Sequence, residues 1–344
     1  MNLRQLLGID VPIVQAPMAG VQASTLAIAV CNAGGLGSLP CAMLDAAGIR
    51  REAGAIQAAT HRPFNVNFFC HAPAEPDPQA EAAWRETLAP YYREFDVDPA
   101  TIKPGPARAP FDAEAAGVLE AVKPAVVSFH FGLPTDALLA RARATGARIL
   151  ASATTVDEAR WLEAKGVDAI VAQGAEAGGH RGIFLSTDLA TQVGTLALVP
   201  QIARAVRVPV IAAGGIADAA GVQAVLALGA IAAQVGTAFL RCPETTTTPI
   251  HRAALASEAA RHTAITNVFT GRPARGIVNR VVREVGPISA KAPSFPFAAA
   301  AVAPLRAAAE RAGSGDFSPL WSGQNASGCR DVPASQIVRE LAAL

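Results

Sequence analysis

Short β-branched runs alternate with helical segments along most of this chain, and no other feature narrows its fold as far. Pro12 to Gln15 reads as a first strand, Ser24 to Asn32 as a helix that stops at Gly34-Gly35, Leu36 to Leu39 as a second strand and Asp45 to Thr60 as a helix. Phe64 to Phe69 (FNVNFF) alternates apolar and polar residues with the period of a strand. Residues 71–113 break the rhythm with prolines, Trp84, Tyr91 and Tyr92, and read as an insertion carrying a helix or two. The alternation resumes with strands at Ala125 to Phe131, Arg148 to Ala153, Ala169 to Gly174, Pro209 to Ala213 and Ile231 to Val235. Helices fall between them: Thr135 to Thr145, Val156 to Lys165, Leu189 to Val206 with Pro200 as an expected interruption, and Asp218 to Leu228. Thr155 is the expected cap of its helix, with Glu158 as the capping-box partner.

Eight strands alternating with helices over about 240 residues is the span of an α/β TIM (β/α)8 barrel. An open doubly wound sheet would need G-x-G-x-x-G directly after the first strand. That strand is followed instead by Ala16-Pro17-Met18-Ala19-Gly20, so the barrel is favoured. Past Glu244 the alternation stops, and residues 249–313 read as helical, including an Ala-rich helix around Ala298 to Ala312. The expected organisation is a barrel from residues 1–243 and 315–344, with 244–314 as an inserted, mainly helical lid that faces the substrate.

Composition removes several classes of function. Hydrophobic residues make up 51% and charged residues 17%, which provides a large core. The net charge is +1 and there is no Lys/Arg block, which argues against a nucleic-acid partner. Five scattered cysteines with no C-x-x-C pair read as free thiols rather than a disulfide frame or zinc site. No signal-peptide h-region precedes the first strand, and the apolar run from Phe297 to Leu305 is too short to span a bilayer. A cytoplasmic protein without a membrane segment is the expectation.

The stretch from Ala172 to Gly182, AQGAEAGGHRG, carries the strongest chemical signal. A strand runs into a glycine-rich loop that presents one titratable group, His180, at a barrel strand's C-terminal end. His130 ends the fourth strand in SFHFG and points to the same face. Gly214-Gly215 and Gly236-Thr237 end the last two strands, where barrels often bind phosphate on backbone N–H groups and a helix N-terminus. Asn65 and Asn67 share one face of the third strand, and Gln173 ends the sixth. Carboxamides offer both donor and acceptor, which suits the edge of a flavin or pyrimidine ring or an internal polar network. Glu176 and His180 alone do not make a metal site, and no G-x-S-x-G surrounds Ser152. The arginines between Arg272 and Arg283 read as a solvated or lobe-contacting face.

QAPMAG (15–20), FNVNFF (64–69), SFHFGLP (128–134), AQGAEAGGHRG (172–182), AAGGI (212–216), QVGTAF (234–239), TGRPARGI (270–277) and WSGQNA (321–326) occur in this order along nearly the whole chain. Together they resemble the nitronate monooxygenases, formerly 2-nitropropane dioxygenases, and SFHFG with WSGQNA resembles the class I branch. The resemblance implies a flavin-dependent TIM barrel with noncovalent FMN. Met18 and Asn67 would flank the isoalloxazine, and Gln173 would bond it, with Gly178 close by. Gly215, Gly236 and Thr237 would hold the phosphate with Gln234 beside them, and Gln324 would close the flavin site. His180 would be the catalytic histidine and His130 a second one in the active site. The implied reaction is oxidation of alkyl nitronates by O2 to carbonyl compounds plus nitrite or nitrate, with His180 as the base for neutral nitroalkanes. A homodimer is compatible with this reading.

One departure stands out. Phe295-Pro296-Phe297 and the Ala-rich helix contain no tyrosine where the class I pattern implies tyrosines and a lysine facing the substrate. A less polar wall favours a more apolar substrate. Two rival readings follow: an NAD(P)H-dependent quinone or enoyl-ACP reductase on the same scaffold, and a barrel that has lost its flavin and serves as a binding protein.

Overall fold

The computed structural model describes residues 2–102 and 109–343. The part of the 71–113 insertion between 103 and 108 lies outside the described residues. Eight parallel strands carry the fold: β1 (Ile13–Gln15), β2 (Gly37–Pro40), β3 (Phe64–Phe69), β4 (Val126–His130), β5 (Arg148–Ala153), β6 (Ala169–Gln173), β8 (Val210–Ala213) and β9 (Ala232–Val235). Between β6 and β8 lies the two-residue β7 (Gly179–His180), and β10 (Thr263–Thr266) and β11 (Ala274–Ile277) come later. The parallel strands pair in the order β1-β9-β8-β6-β5-β4-β3-β2, and a parallel bridge between Val14 and Leu36 joins the two ends. The result is a TIM barrel.

Alternation along the strands separates two layers. Val14, Leu36, Val126, Leu150, Val171 and Ile211 pack inside with Leu6, Leu7 and Ile9, which plug the floor. Ile13, Leu39, Val66, Val127, Ile149, Ile170 and Val210 pack outward against the helices. Short polar side chains start several of those helices by accepting a backbone N–H: Asp45 from Gly48, Asp112 from Ala115, Thr135 from Leu138 and Asp218 from Gly221. Thr155 caps its helix as expected, accepting from Glu158 N. The Glu158 carboxylate, however, accepts from Thr154 N and Oγ1 and from Phe184 N. It ties two loops together instead of closing a capping box.

Two expectations about local structure change. Pro200 does not interrupt its helix; it sits inside Thr195–Ala205, and the carbonyl it leaves without a donor is that of Leu196, an exposed residue. Residues 249–313 hold helices Pro249–Ala256, Arg280–Glu284 and, from its first turn, Ala298–Arg311, but also β10 and β11. β11 pairs antiparallel with β10 on one side and with β7 on the other, setting Ala274 opposite His180 and Arg275 opposite Gly179. The insertion helix Pro78–Glu94 shares a hydrophobic core with this lobe. Trp84 Nε1 donates to Ala298 O and Tyr92 Oη to Ala301 O. The only two tyrosines are thus spent on packing the lobe, and Tyr91 bonds Glu284.

Candidate active site

A cavity of about 1430 Å³, open mouth included, lies at the C-terminal ends of the barrel strands under the lobe. Its wall includes Met18, Asn67, His130, Gln173, Gly178, His180, Gly215, Gln234, Gly236 and Thr237, which the sequence had singled out. The structure brings these residues together from six strand ends. Gln324 is the exception: it is exposed, and its backbone N–H donates to Glu176 O at 3.0 Å. Its neighbours Ser322, Gly323 and Asn325 line the cavity, and Asn325 Nδ2 donates to Gly215 O at 3.0 Å.

One side of the cavity is built from backbone. Gly214 and Gly215 have φ of 121° and 75°, and a Cβ on Gly214 would stand 2.7 Å from Thr195 Oγ1. Only glycine permits that path, and it leads into the helix capped by Asp218. The Thr237 hydroxyl accepts from Gly323 N at 2.9 Å, which leaves its own hydrogen available to a ligand. Small residues, backbone N–H groups and a helix N-terminus make a cradle suited to a phosphate.

Polar residues beneath this cradle are braced against each other. Asn67 Nδ2 donates to Ser128 Oγ at 2.9 Å, and Asn65 Nδ2 donates to Ser38 Oγ and Ser128 Oγ. Gln22 Oε1 accepts from Met18 N and Gln15 Nε2 and so holds the turn after β1. Gln173 uses its amide on its own loop, donating to His180 O at 3.0 Å and accepting from Gly182 N at 2.8 Å. It shapes the loop that carries the histidine.

The other side is aromatic. The His180 ring lies 5.6 Å from Phe295, 5.6 Å from Trp321, 5.9 Å from Phe131 and 6.1 Å from Phe69, centroid to centroid. Phe131 adopts φ 71°, a left-handed conformation that costs a bulky residue about 1–2 kcal/mol. Arg272 stacks on its ring at 3.8 Å and helps to hold it there. No Asp, Glu, Lys or Arg is among the described residues lining the cavity.

Three histidines line it. Burial depresses His130 to a pKa of about 3, and its Nε2 lies 3.2 Å from His180 O while Nδ1 lies 3.0 Å from Ser152 Oγ. A carbonyl can only accept, so Nε2 carries the hydrogen and Nδ1 accepts from Ser152. His251 is likewise depressed to about 4 by burial and directs Nε2 to Trp321 O at 3.0 Å. Both are neutral at physiological pH with their Nε2–H spent on backbone. His130 therefore supports the His180 loop rather than offering a second base.

Sequence reasoning missed the groups that lock the glycine loop. Arg181 is fully buried and donates to Gln173 O, Gly174 O and Gln192 Oε1. Arg275, on β11, donates to Ala175 O at 2.8 Å. Arg272 donates to Ile183 O. Arg181 and Arg275 are buried and Arg272 is half-buried, so within the expected solvated or lobe-contacting face Arg272 and Arg275 instead support the loop. The only early signal was the HRG ending of the loop and the ARG of TGRPARG, which spacing alone does not bring together.

A family model described as nitronate monooxygenase matches residues 1–343. This chain belongs to the nitronate monooxygenase family. Relatives named nitronate monooxygenase include one from Paraburkholderia phytofirmans, 47% identical over 98% of this chain and 93% of its own, and one from Pseudomonas aeruginosa, 43% identical over 98% and 97%. Among solved structures, a nitroalkane oxidase from Streptomyces ansochromogenes is 41% identical with a TM-score of 0.88, covering 99% of this chain and 96% of that one. FabK from Thermotoga maritima is more distant, at 27% identity and a TM-score of 0.73 over 98% and 94%. The family makes this chain an oxidoreductase. Among the described residues, no helix is long and apolar enough to cross a membrane.

Proposed function

We propose that the chain is an FMN-dependent enzyme that oxidises alkyl nitronates, and neutral nitroalkanes after their deprotonation, with O2 to carbonyl compounds plus nitrite or nitrate. The observation that carries this reading is the pairing, across one cavity, of a glycine cradle with a histidine inside an aromatic wall. In this reading the barrel binds the cofactor, and the 244–314 lobe with the insertion helix covers the substrate.

FMN fits the residues present. Gly215, Gly236 and Thr237 would take the phosphate, with Gln234 alongside. Met18, Asn67 and Gly178 would flank the ring system, Gln173 would shape its edge, and Asn325 would fill the place assigned to Gln324. When bound, the flavin supplies the redox chemistry: it accepts electrons from the nitronate and delivers them to oxygen.

The chain's own residues do the rest. His180 takes the α-proton of a neutral nitroalkane, and the C–H electron pair passes into the nitro group to give the nitronate. The aromatic wall excludes water and binds the alkyl part. Arg181, Arg272 and Arg275 bond backbone carbonyls of the glycine loop and hold it in place. Oxygen uptake on a series of alkyl nitronates, with NADH as a control, tests the proposal. Uptake with short and longer alkyl nitronates and none with NADH supports it. Rapid NADH oxidation without turnover of any nitronate would favour the NAD(P)H-dependent reductase reading.

A further inference from the structure

We propose that His251 is a ligand-recognising residue whose Nδ1 takes a hydrogen bond from a hydroxyl of the bound ligand, a role that rests on the functional reading above. Its Nε2 lies 3.0 Å from Trp321 O. A backbone carbonyl can only accept, so Nε2 carries the ring's hydrogen and spends it there. Burial holds the ring neutral, with a pKa of about 4, so Nδ1 keeps a bare lone pair. Among the described residues no hydrogen bond reaches Nδ1, yet Nδ1 is not one of the sealed polar atoms that lack a partner. The residue is buried and lines the cavity, so the open side of its ring is the cavity side. His130 differs on this point: both of its ring nitrogens are engaged, by His180 O and Ser152 Oγ.

The surrounding chain keeps the ring in place. His251 stands in the first turn of the helix Pro249–Ala256, where its N–H donates to the capping Thr248 Oγ1. Arg252, next in the chain, donates to the carbonyls of Arg241, Cys242 and Thr247 and ties that turn to the segment after β9. The Trp321 ring lies 5.6 Å from His180, and two residues on, Gly323 N donates to Thr237 Oγ1. The segment that His251 holds thus runs from the aromatic wall to the cradle.

A fixed neutral acceptor selects its ligand by hydrogen bonding rather than by charge. No Asp, Glu, Lys or Arg is among the described residues lining the cavity. A ligand hydroxyl donates to the lone pair, a methyl group in its place leaves the lone pair covered and unpaired, and a carboxylate sets lone pair against lone pair. Two ligands of the reading above can bring a hydroxyl: the sugar-alcohol chain of the flavin and a hydroxylated nitroalkane or nitronate.

The test uses His251→Gln, which keeps a donor for Trp321 O without an acceptor in the place of Nδ1, and His251→Asn, which keeps that acceptor without the donor. In one arm, each apoprotein is titrated with FMN and the quenching of flavin fluorescence is followed. In the other, the flavin-loaded enzymes are assayed on alkyl nitronates paired with and without a terminal hydroxyl. If the substrate brings the hydroxyl, the wild type should favour the hydroxylated member by about 3-fold to 10-fold in kcat/KM, the range of one neutral hydrogen bond. His251→Gln should lose that preference and His251→Asn keep it, with FMN affinity equal in all three. If the flavin chain brings it, His251→Gln should bind FMN about 3-fold to 10-fold more weakly and His251→Asn like the wild type. Either pattern supports the assignment and names the source. Identical behaviour of the three proteins in both arms, or equal losses in both variants, would overturn it. Nitrogen-15 spectra of histidine-labelled protein, with His251→Gln to identify the signal, give a readout independent of turnover: the Nε2–H tautomer is expected at His251, and an Nδ1–H tautomer would refute the inference whatever the substrate. Weaker FMN binding in His251→Gln alone, with no nitronate oxidised by any of the three, would support the inference and count against the proposed reaction.

Discussion

The two sides of the cavity are made by different means. The cradle side is assembled from strand ends and the glycines directly after them, so each contribution is a short stretch of sequence: Ala213-Gly214-Gly215 after β8, Gly236-Thr237 after β9. The histidine side is assembled from pairs far apart in the chain: Thr270 on His180, Arg272 on Phe131, His251 on Trp321, Arg275 on Ala175. In the proposed reading, the first side holds the phosphate of the cofactor. The second fixes how one imidazole is held and what surrounds it. Phe295 of the lobe lies against the His180 ring, and no Asp, Glu, Lys or Arg is among the described residues lining the cavity.

Substitutions on the two sides should therefore fail differently. The largest effect is expected at His180: His180→Asn should lose about 10²–10⁴-fold on neutral nitroalkanes while the purified protein keeps its flavin absorbance. Full activity in that variant would remove the histidine from the reaction. Arg181→Met leaves the carbonyls of Gln173 and Gly174 buried without their charged donor. It should destabilise the fold by about 3 kcal/mol in urea melts, and a change within about 0.5 kcal/mol would mean that the loop holds itself. Gly214→Ala forces a side chain into a glycine-only conformation against Thr195, at a cost of about 1–3 kcal/mol. The expected readout is loss of bound flavin from a protein that still folds; a fully loaded, equally stable variant would show that the cradle tolerates a Cβ.

A smaller effect concerns pH. His130 and His251 are held near 3 and 4 in the folded state, below the ordinary histidine value of about 6.5. As pH falls below about 6.5 the unfolded chain takes up these protons first, so stability is lost between there and about pH 4 and is retained above. Each histidine contributes up to about 1.4 kcal/mol per pH unit in that window. Urea denaturation at pH 7 and pH 5 should show the decline, and His251→Gln should flatten it. The same slope in both proteins would contradict the assignment.

The barrel was legible because strand and helix periods alternate and because glycines follow the strands that need them. The same local signals located all but one of the residues expected at the cavity. Gln324 went astray by one position: WSGQNA does form the rim, but the loop turns Asn325 inward and leaves Gln324 outside. Gln173 lines the cavity, but its amide is engaged by His180 O and Gly182 N, which no local pattern encodes. β10 and β11 read as helix because four-residue strands declare themselves only through their partners, one of which is a two-residue strand in the glycine loop. Arg275 read as part of a solvated or lobe-contacting face, and Arg181 drew no reading at all, because their acceptors are backbone carbonyls, invisible in residue types.

The central claim, that the cradle binds a flavin which an alkyl nitronate reduces in front of His180, is tested most directly by anaerobic mixing of the yellow enzyme with an alkyl nitronate and, separately, with NADH. The account predicts a change in the flavin spectrum with the nitronate, reversal on admitting O2 with formation of a carbonyl compound, and no comparable change with NADH. Bleaching by NADH at a useful rate, with a spectrum indifferent to nitronate, would contradict it.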